Sequence, residues 1–502
     1  MATRPHRGAH RHRSGVDARP RHWHDGVMSR PIWQWSAAEI TRAVSRRELS
    51  ARAVALAALE RLDAVNARTN AVVVTLREAA LADADALDRS LARGERPPIL
   101  AGVPVTVKDN IDQAGLANVN GVAALKSVVA TSDHPVVRHW RDAGAIILGR
   151  TNTPAFSFRY DTNNDVYGRT WNPRDRERTV GGSSGGAAAA VATGASTLAH
   201  GNDYGGSIRY PAFCCGTFGL RPTMGRVPTF NGTATTERPP TAQVMSVQGL
   251  LGRHVKDLRI GLAAMAKFDA RDPWWVPAPL EGPPLATPVR VAMTLGGQRS
   301  RVHRDVEAAV RAAATALASA GYEVEEIEPP SLERIDELFL LLVLAEVREL
   351  FAADMTKMGD AELARAIALN LDVTRPLALP EYMTALAERA RYLREWLVFM
   401  ERYPLVLTPV SLAPPFRLGF DCTTPEAHGA SGAAQRPLRV VNVLGLPALT
   451  VPVGLTAGDE STPAGLPLGV QLIASRYRED TLFSAAEALE ASFGAGRVID
   501  PC

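Results

Sequence analysis

Three short segments of this chain carry residue types suited to acyl transfer. Two are glycine-rich turns that contain serines, GGSSGG at 181–186 and GGSIR at 205–209, and the third places Lys108 at the end of an alternating strand. A serine hydroxyl is a poor nucleophile until a base takes its proton, and a lysine can be that base only if burial destabilises its ammonium. The valines that alternate along the strand favour such burial.

The turn at 181–186 also fits other functions, each of which lacks a supporting feature. A nucleotide-binding loop of the GxxxxGK[ST] type needs a lysine that does not follow here. A linker would separate independent units, whereas the alanines after Gly186 predict a closely packed helix. Gly181-x-Ser183-x-Gly185 satisfies GxSxG, but the preceding RDRERTV is not the hydrophobic strand that a nucleophile elbow requires. A structured turn of another kind of active site remains.

Composition favours a globular protein with a small-molecule partner. The 502 residues are 46% hydrophobic, and 56 basic against 53 acidic residues give a net charge of +3, too balanced for a nucleic-acid-binding protein. No window of about 18 apolar residues predicts a membrane span. Four cysteines form neither a disulfide framework nor a metal pattern, and the histidines lack ligand spacing. We therefore expect a cytoplasmic protein without metal or other cofactor, and leave its oligomeric state open, with a homodimer as one candidate.

Helices and strands alternate around these segments. Ser36 begins a capping-box pattern, Ser50 precedes a second helical stretch, and 77–93 predicts a third helix. Strand-like runs occupy 70–74, 103–107, 145–148, 289–293, 405–407, 448–453 and 468–473. The alternation indicates an α/β architecture in one large domain.

The first 28 residues differ from the rest of the chain. They are rich in arginine and histidine and nearly free of aliphatic residues, so they predict a disordered tail before a domain at 29–502. They lack the apolar core of a signal peptide. A nucleic-acid-binding arm is the alternative, and an upstream start read in frame would also explain the tail.

Lys108 and the two glycine-rich turns together resemble the central motif of the amidase signature family. Further similarities are GRTNTPAF at 149–156, PLVLTPVSLAPP at 404–415, and NVLGLPALTVPVG with GLPLGVQLIA near the C-terminus. The resemblance runs from about residue 29 to the end. It implies a single α/β domain in which helices surround a large mixed β-sheet.

The resemblance also implies a Ser-Ser-Lys triad. Matched by position, Ser207 is the nucleophile, Ser183 the bridging serine on a cis peptide bond, and Lys108 the base. Backbone N–H groups are expected to hold the oxyanion of the tetrahedral intermediate, at Tyr204, Gly205, Gly206 and Ser207. Residues that support and orient the serines and their loops are expected at Ser184, Asp203 and Arg209.

The substrate pocket is expected to be apolar or aromatic. Its candidate lining residues are Asn152, Phe156 and Tyr204, with a helical region at about 332–400 that contributes Phe339, Phe351, Met355 and Met358. Asn202 and Tyr204 depart from the residues common in the family around Asp203, and we expect these departures to reshape the pocket.

Three functions follow from these observations. The leading one is a serine hydrolase that cleaves the C–N bond of a small carboxamide through an acyl-enzyme, with aryl or alkyl esters and carbamates as further substrates. The second is the glutaminase-type subunit of a tRNA transamidation complex, which would need partner subunits. The third is a non-catalytic binding protein on the same fold, against which the retained lysine and serines argue.

Overall fold

A computed structural model describes residues 30–297 and 300–502. The predicted tail at 1–28 lies outside these residues. Residues 32–502 form one compact unit. No helix in the described ranges is long and apolar enough to cross a membrane.

The strands form one mixed sheet. They are β1 (Val72–Thr75), β2 (Pro104–Lys108), β3 (Ile146–Thr151), β4 (Leu198–Asp203), β5 (Phe218–Arg221), β6 (Val247–Gly252), β7 (Arg290–Met293), β8 (Glu323–Glu326), β9 (Leu405–Pro409), β10 (Ala448–Leu455) and β11 (Pro467–Ala474). Their order across the sheet is β1-β3-β2-β4-β6-β5-β10-β11-β9-β7-β8. Parallel pairs join β3, β2 and β4 on one side and β9, β7 and β8 on the other, with antiparallel pairs between them.

The helices pack around this sheet. They are α1 (Ala37–Ser45), α2 (Ala51–Thr69), α3 (Arg77–Ala92), α4 (Pro135–Asp142), α5 (Gly185–Ala192), α6 (Arg209–Cys215), α7 (Pro240–Met245), α8 (Val255–Met265), α9 (Arg304–Ser319), α10 (Leu332–Glu346), α11 (Ala352–Met358), α12 (Ala361–Asp372), α13 (Leu379–Arg402), α14 (Pro425–Ala434), α15 (Arg436–Leu444) and α16 (Glu479–Phe493). A π-helical turn, Val347–Phe351, links α10 to α11. The predicted α/β class with a mixed sheet is confirmed.

Local sequence signals explain where the first helices begin. The Ser36 hydroxyl accepts from the Glu39 backbone N–H, and the Ser36 N–H donates to the Glu39 carboxylate, which completes the predicted capping box. Ser50 caps α2 by accepting from the backbone N–H of Ala53. At its other end α2 continues to Thr69, and Asn70 takes a left-handed conformation with φ of 48°. The predicted strand at 70–74 therefore starts two residues later, at Val72.

The small residues of α5 let this helix sit inside the protein. All eight of its residues are buried. A Cβ at Gly186 would lie 2.4 Å from the backbone nitrogen of Asn152 and 2.6 Å from the carbonyl oxygen of Ala71. Only a glycine fits between these backbones, and this close packing positions the N-terminus of α5, which directly follows the serine-containing turn.

We predict that Gly186→Ala destabilises the protein by about 1–3 kcal/mol, because the added methyl group must displace backbone atoms. Gly429→Ala is the matched control, since Gly429 also lies in a helix, α14, and no atom outside its chain neighbours and its own helix backbone lies within 4 Å of the position that its methyl group would take. There the higher helix propensity of alanine is expected to stabilise the protein by up to about 1 kcal/mol. Urea unfolding monitored by circular dichroism measures both changes, and equal effects would contradict the packing argument.

Candidate active site

Lys108 ends a strand in the interior of the sheet. Its strand, β2, pairs with β3 on one side and β4 on the other, and every residue of it is buried. The Lys108 Nζ lies 2.6 Å from the Ser183 Oγ and 2.8 Å from the Oδ1 of Asn202. The amine therefore has two polar partners and no access to bulk water.

Burial lowers the pKa of Lys108 well below its ordinary value. The negative charge of Asp203 acts in the opposite direction and offsets part of this effect. A lysine in this position loses its proton at lower pH than a solvent-exposed lysine does. Its neutral amine can then accept a proton from the hydroxyl of Ser183.

Ser183 lies in a tight turn that the surrounding backbone confines. The peptide bond between Gly182 and Ser183 is cis, and Gly181 has φ of 80°. A Cβ at Gly182 would lie 2.2 Å from the carbonyl oxygen of Arg159, so this position has no room for a side chain. The turn thus aims the Ser183 hydroxyl at the amine of Lys108.

The two serine-containing turns are joined through Ser184. Its backbone N–H donates to the carbonyl oxygen of Ser207 at 3.1 Å. Its hydroxyl is buried and has no hydrogen-bond partner among the residues that the structure describes. The contact between the turns therefore runs through the backbone of Ser184.

The carboxylate of Asp203 organises the turn that carries Ser207. Asp203 ends β4, and its oxygens accept from the backbone N–H groups of Gly206 at 3.0 Å and Ile208 at 3.2 Å. The guanidinium of Arg209 donates to both oxygens at 3.0 and 2.8 Å. Ser207 is thus held between residues that one buried carboxylate fixes.

Asp203 is ionised although it is fully buried. Burial alone would raise the pKa of this carboxyl group, but Arg209, Arg221 and a hydrogen bond from Asn442 hold it far below its usual range. Arg221 also donates to the Asp203 carbonyl oxygen at 2.7 Å. The predicted residues Asp203 and Arg209 are therefore in direct contact, and Arg221 and Asn442 are partners that the sequence did not reveal.

The four predicted oxyanion-hole N–H groups differ in their hydrogen bonding. In the described part of the chain, no acceptor is hydrogen-bonded to the backbone N–H of Tyr204, Gly205 or Ser207. Gly206 differs because its N–H is committed to Asp203. Gly206 has φ of 106°, and a Cβ at this position would lie 2.5 Å from the side chain of Leu438. The turn therefore requires a glycine here.

Ser207 lies in the wall of a cavity of about 370 Å³. Much of the wall is aromatic or aliphatic and comes from Phe158, Tyr160, Tyr204, Phe339, Leu340, Val343, Leu344, Ala366 and Val373. Charged side chains also reach the wall, but they pair with one another. Arg439 donates to Asp336 at 2.6 Å, and Arg159 donates to Asp421 at 2.7 Å. The cavity therefore suits a largely apolar molecule that ends in a polar group near Ser207.

Five predicted pocket residues lie outside this wall: Asn152, Phe156, Phe351, Met355 and Met358. Asn152 is fully buried, and its amide donates to the carbonyl oxygen of Gly168 at 2.9 Å and the hydroxyl of Thr170 at 3.0 Å. Phe156 packs on a separate apolar cluster that contains Val122, Ala155, Met355, Leu363 and Ile367, with Phe351 and Met358 at its margin. Of the aromatic and methionine candidates, Tyr204 and Phe339 line the cavity.

Asn202 contacts the lysine rather than the cavity. The sequence comparison predicts that this residue reshapes the pocket, but it is absent from the cavity wall and its side-chain oxygen accepts from the Lys108 Nζ. Asn202 lies near the end of β4, and this position could have indicated the contact with Lys108. The sequence analysis does not predict β4, so it does not predict the contact either.

The cysteine and histidine side chains near the site are buried in the protein interior. Burial raises the pKa of Cys215 to about 12, so its thiol is not a ready nucleophile. His200 is buried, and its ring nitrogens contact the Lys108 backbone N–H at 3.3 Å and the Gln248 side chain at 2.9 Å. Within 30–297 and 300–502, no group of three or more His, Cys, Asp and Glu side chains could hold a metal ion.

Comparisons with known proteins relate the whole chain to amidases. The model of the family described as Amidase matches residues 53–483. An indoleacetamide hydrolase of Bradyrhizobium diazoefficiens is 44% identical over 470 residues, which cover 92% of this chain and 87% of that enzyme. A glutamyl-tRNA(Gln) amidotransferase subunit of Moorella thermoacetica is 32% identical over 488 residues, which cover 92% and 97%. The crystal structure of a bacterial aryl acylamidase matches with a TM-score of 0.78 at 26% identity, and the match covers 93% and 97%.

We predict that Asp203→Asn destabilises the protein by about 3–5 kcal/mol, because Arg209 and Arg221 lose the charge that compensates them in the interior. Glu307→Gln is the control, since it removes a carboxylate from a partly exposed pair with Arg311 and is expected to leave the unfolding midpoint unchanged. Denaturant unfolding of the two variants measures the difference. Similar midpoints would mean that Asp203 does not organise the turn.

Proposed function

Because this chain belongs to the amidase signature family and is an amidase, we propose that it hydrolyses small carboxamides whose acyl group carries an aromatic ring. The observation that carries the proposal is the position of Ser207 in the wall of a largely aromatic and aliphatic cavity whose charged side chains are paired with one another. Indoleacetamide, the substrate named for the 44% identical relative, is the first candidate. Esters and carbamates with similar acyl groups are further candidates.

We propose that Ser207, Ser183 and Lys108 catalyse the reaction in sequence. Neutral Lys108 accepts the proton of Ser183 as Ser183 accepts the proton of Ser207, and the Ser207 Oγ attacks the amide carbon. The hydrogen bond between Lys108 and Ser183 supports the first part of this relay. The N–H groups of Tyr204, Gly205 and Ser207 are the candidate donors to the oxyanion.

Collapse of the tetrahedral intermediate breaks the C–N bond, and the proton returns along the same path to the leaving nitrogen. Ammonia leaves from a primary amide, and an ester between the acyl group and Ser207 remains. A water molecule then gives its proton to the relay and attacks this ester. The products are the carboxylic acid and the free enzyme.

The transamidation alternative has less support. The amidotransferase subunit is 32% identical to this chain, whereas the indoleacetamide hydrolase is 44% identical over the same share of the chain. An aromatic cavity also matches an arylacetamide better than it matches the polar side chain of glutamine.

Cytoplasmic location stays a prediction, and a homodimer stays one candidate for the oligomeric state. Buried free thiols at Cys214, Cys215 and Cys422 agree with a reducing compartment. Light scattering coupled to size-exclusion chromatography measures the oligomeric state of the full chain directly.

We predict that Ser207→Ala, Ser183→Ala and Lys108→Ala each lower kcat/KM for indoleacetamide by at least about 10³-fold, because each removes one member of the proton relay. Ammonia release from indoleacetamide, phenylacetamide and acetamide is the measurement. Ser492→Ala and Lys256→Ala are matched controls on exposed helix positions and are expected to retain full activity. Full activity of Ser207→Ala would exclude Ser207 as the nucleophile.

We predict that kcat/KM rises with pH as Lys108 loses its proton, and that the midpoint lies well below the ordinary pKa of a lysine because burial disfavours the ammonium. Asn202→Asp should move this midpoint to higher pH, since a carboxylate beside the Lys108 Nζ stabilises the protonated amine. Asn202→Ala, which adds no charge, should not move it upward. A midpoint that is identical in wild type and Asn202→Asp would show that another group controls the pH profile.

A further inference from the structure

A buried carboxylate lies behind the aromatic wall of the cavity. Glu346 is the last residue of α10 and is 5% exposed. Within the described ranges it forms no ion pair, and its hydrogen-bond partners are Thr241 and Tyr382. A buried carboxylate without an ion pair is unfavourable unless several hydrogen-bond donors compensate the loss of its hydration.

Three neutral donors compensate Glu346. Its Oε1 accepts from the backbone N–H of Thr241 at 2.9 Å and from the phenolic hydroxyl of Tyr382 at 2.6 Å. Its Oε2 accepts from the hydroxyl of Thr241. The carboxylate thereby connects α7, α10 and α13, which contribute these three residues.

The chemistry of the carboxylate sets the direction of the next hydrogen bond. An ionised carboxylate only accepts, so the Thr241 hydroxyl donates its single proton to Glu346. The Tyr204 hydroxyl contacts the same Thr241 oxygen, and it must therefore be the donor there. A directed chain runs from Tyr204 through Thr241 to Glu346 and is strengthened by the negative charge at its end.

Tyr204 has two connections to the proposed active site. Its ring lines the cavity beside Ser207 and packs edge-to-face on Phe339, with the ring centroids 6.2 Å apart. Its backbone precedes Gly205, and its own N–H is one of the candidate donors that have no acceptor within the described ranges. A swing of the ring about the Cα–Cβ bond would break the bond to Thr241 and move the wall against which an acyl group would lie.

We propose that Glu346 and Thr241 are positioning residues that hold the ring of Tyr204 in place and thereby determine the preference for aromatic acyl groups. This inference rests on the proposed function and adds the source of its selectivity. The bond from Tyr204 fixes the position of its ring, and the same Glu346 ends the helix that supplies Val343 and the neighbouring ring of Phe339 to the cavity wall. The two rings are thus held together as one aromatic surface, against which a flat acyl ring can lie.

The test compares kcat/KM for phenylacetamide with kcat/KM for acetamide in wild type, Glu346→Gln, Tyr204→Phe and the double variant. Each single variant is expected to lower the phenylacetamide value by about 10-fold to 100-fold while acetamide changes much less, because acetamide has no ring to position. The double variant should be no worse than the more impaired single variant, since both changes break the same chain. Tyr204→Phe keeps the ring, so it also tests the chain if Glu346→Gln folds poorly.

Tyr382→Phe is the matched control, because it removes a hydroxyl from the same carboxylate without interrupting the chain to Tyr204. We expect it to keep the phenylacetamide to acetamide ratio within about 3-fold of wild type, as for a contact outside the cavity. Equal losses with both amides, or additive losses in the double variant, would overturn the positioning of Tyr204. A wild-type enzyme that hydrolyses acetamide as well as phenylacetamide would instead refute the proposed preference for aromatic amides.

Discussion

The burial of the Lys108 amine is the constraint on which the rest of the site depends. Lys108 has a lowered pKa because it is enclosed by the sheet, and a negative charge close to it would cancel this effect. Asp203 is such a charge. Arg209 and Arg221 lie against Asp203 and neutralise it, so the protein can use this carboxylate to organise a turn without keeping the lysine protonated. The two buried arginines are therefore as much a part of the lysine environment as the apolar residues around it.

The sheet and the turns divide the work of positioning. Strands β2 and β4 are parallel neighbours, and they bring Lys108 and Asp203 to the same end of the sheet. The backbone N–H groups of Gly206 and Ile208 donate to Asp203, which fixes the turn of Ser207 to the end of β4. The Ser184 N–H donates to the Ser207 carbonyl oxygen and joins the second turn to the first. Residues that are distant in sequence thus meet because rigid strand ends hold both turns.

Patterns that depend on local sequence predicted much of the fold. The capping box at Ser36, the start of α2 after Ser50 and the apolar runs that became β2, β3, β10 and β11 are present. Strand β4, LAHGND, was missed because small and polar residues interrupt it while its position between β2 and β6 buries nearly all of it. Strand β8, EVEE, was missed because its acidic residues lie at the edge of the sheet.

The sequence motif predicts the residues of the site that belong to it. It does not predict contacts between elements that are far apart in the sequence. The meeting of Lys108 with Ser183 follows from the motif, but its bond to Asn202 requires the pairing of a strand that was not recognised. The pocket prediction failed at Phe156 because its backbone takes φ of 54°, which the sequence GRTNTPAF does not indicate. Glu346 could not be assigned either, since its partners lie on two other helices, 105 and 36 residues away.

The order of strands also bears on how the protein is made. Strands β9, β7 and β8 reach the first six strands only through β10 and β11, which follow all the other described strands in the sequence. A ribosome releases these two strands after all the others, so the halves of the sheet must wait for the final hairpin before they join. Until then each half exposes an unpaired strand edge, at β5 in one and β9 in the other. The two halves of the sheet therefore join only once β10 and β11 have been made, and until that moment both strand edges are open to pairing with other chains.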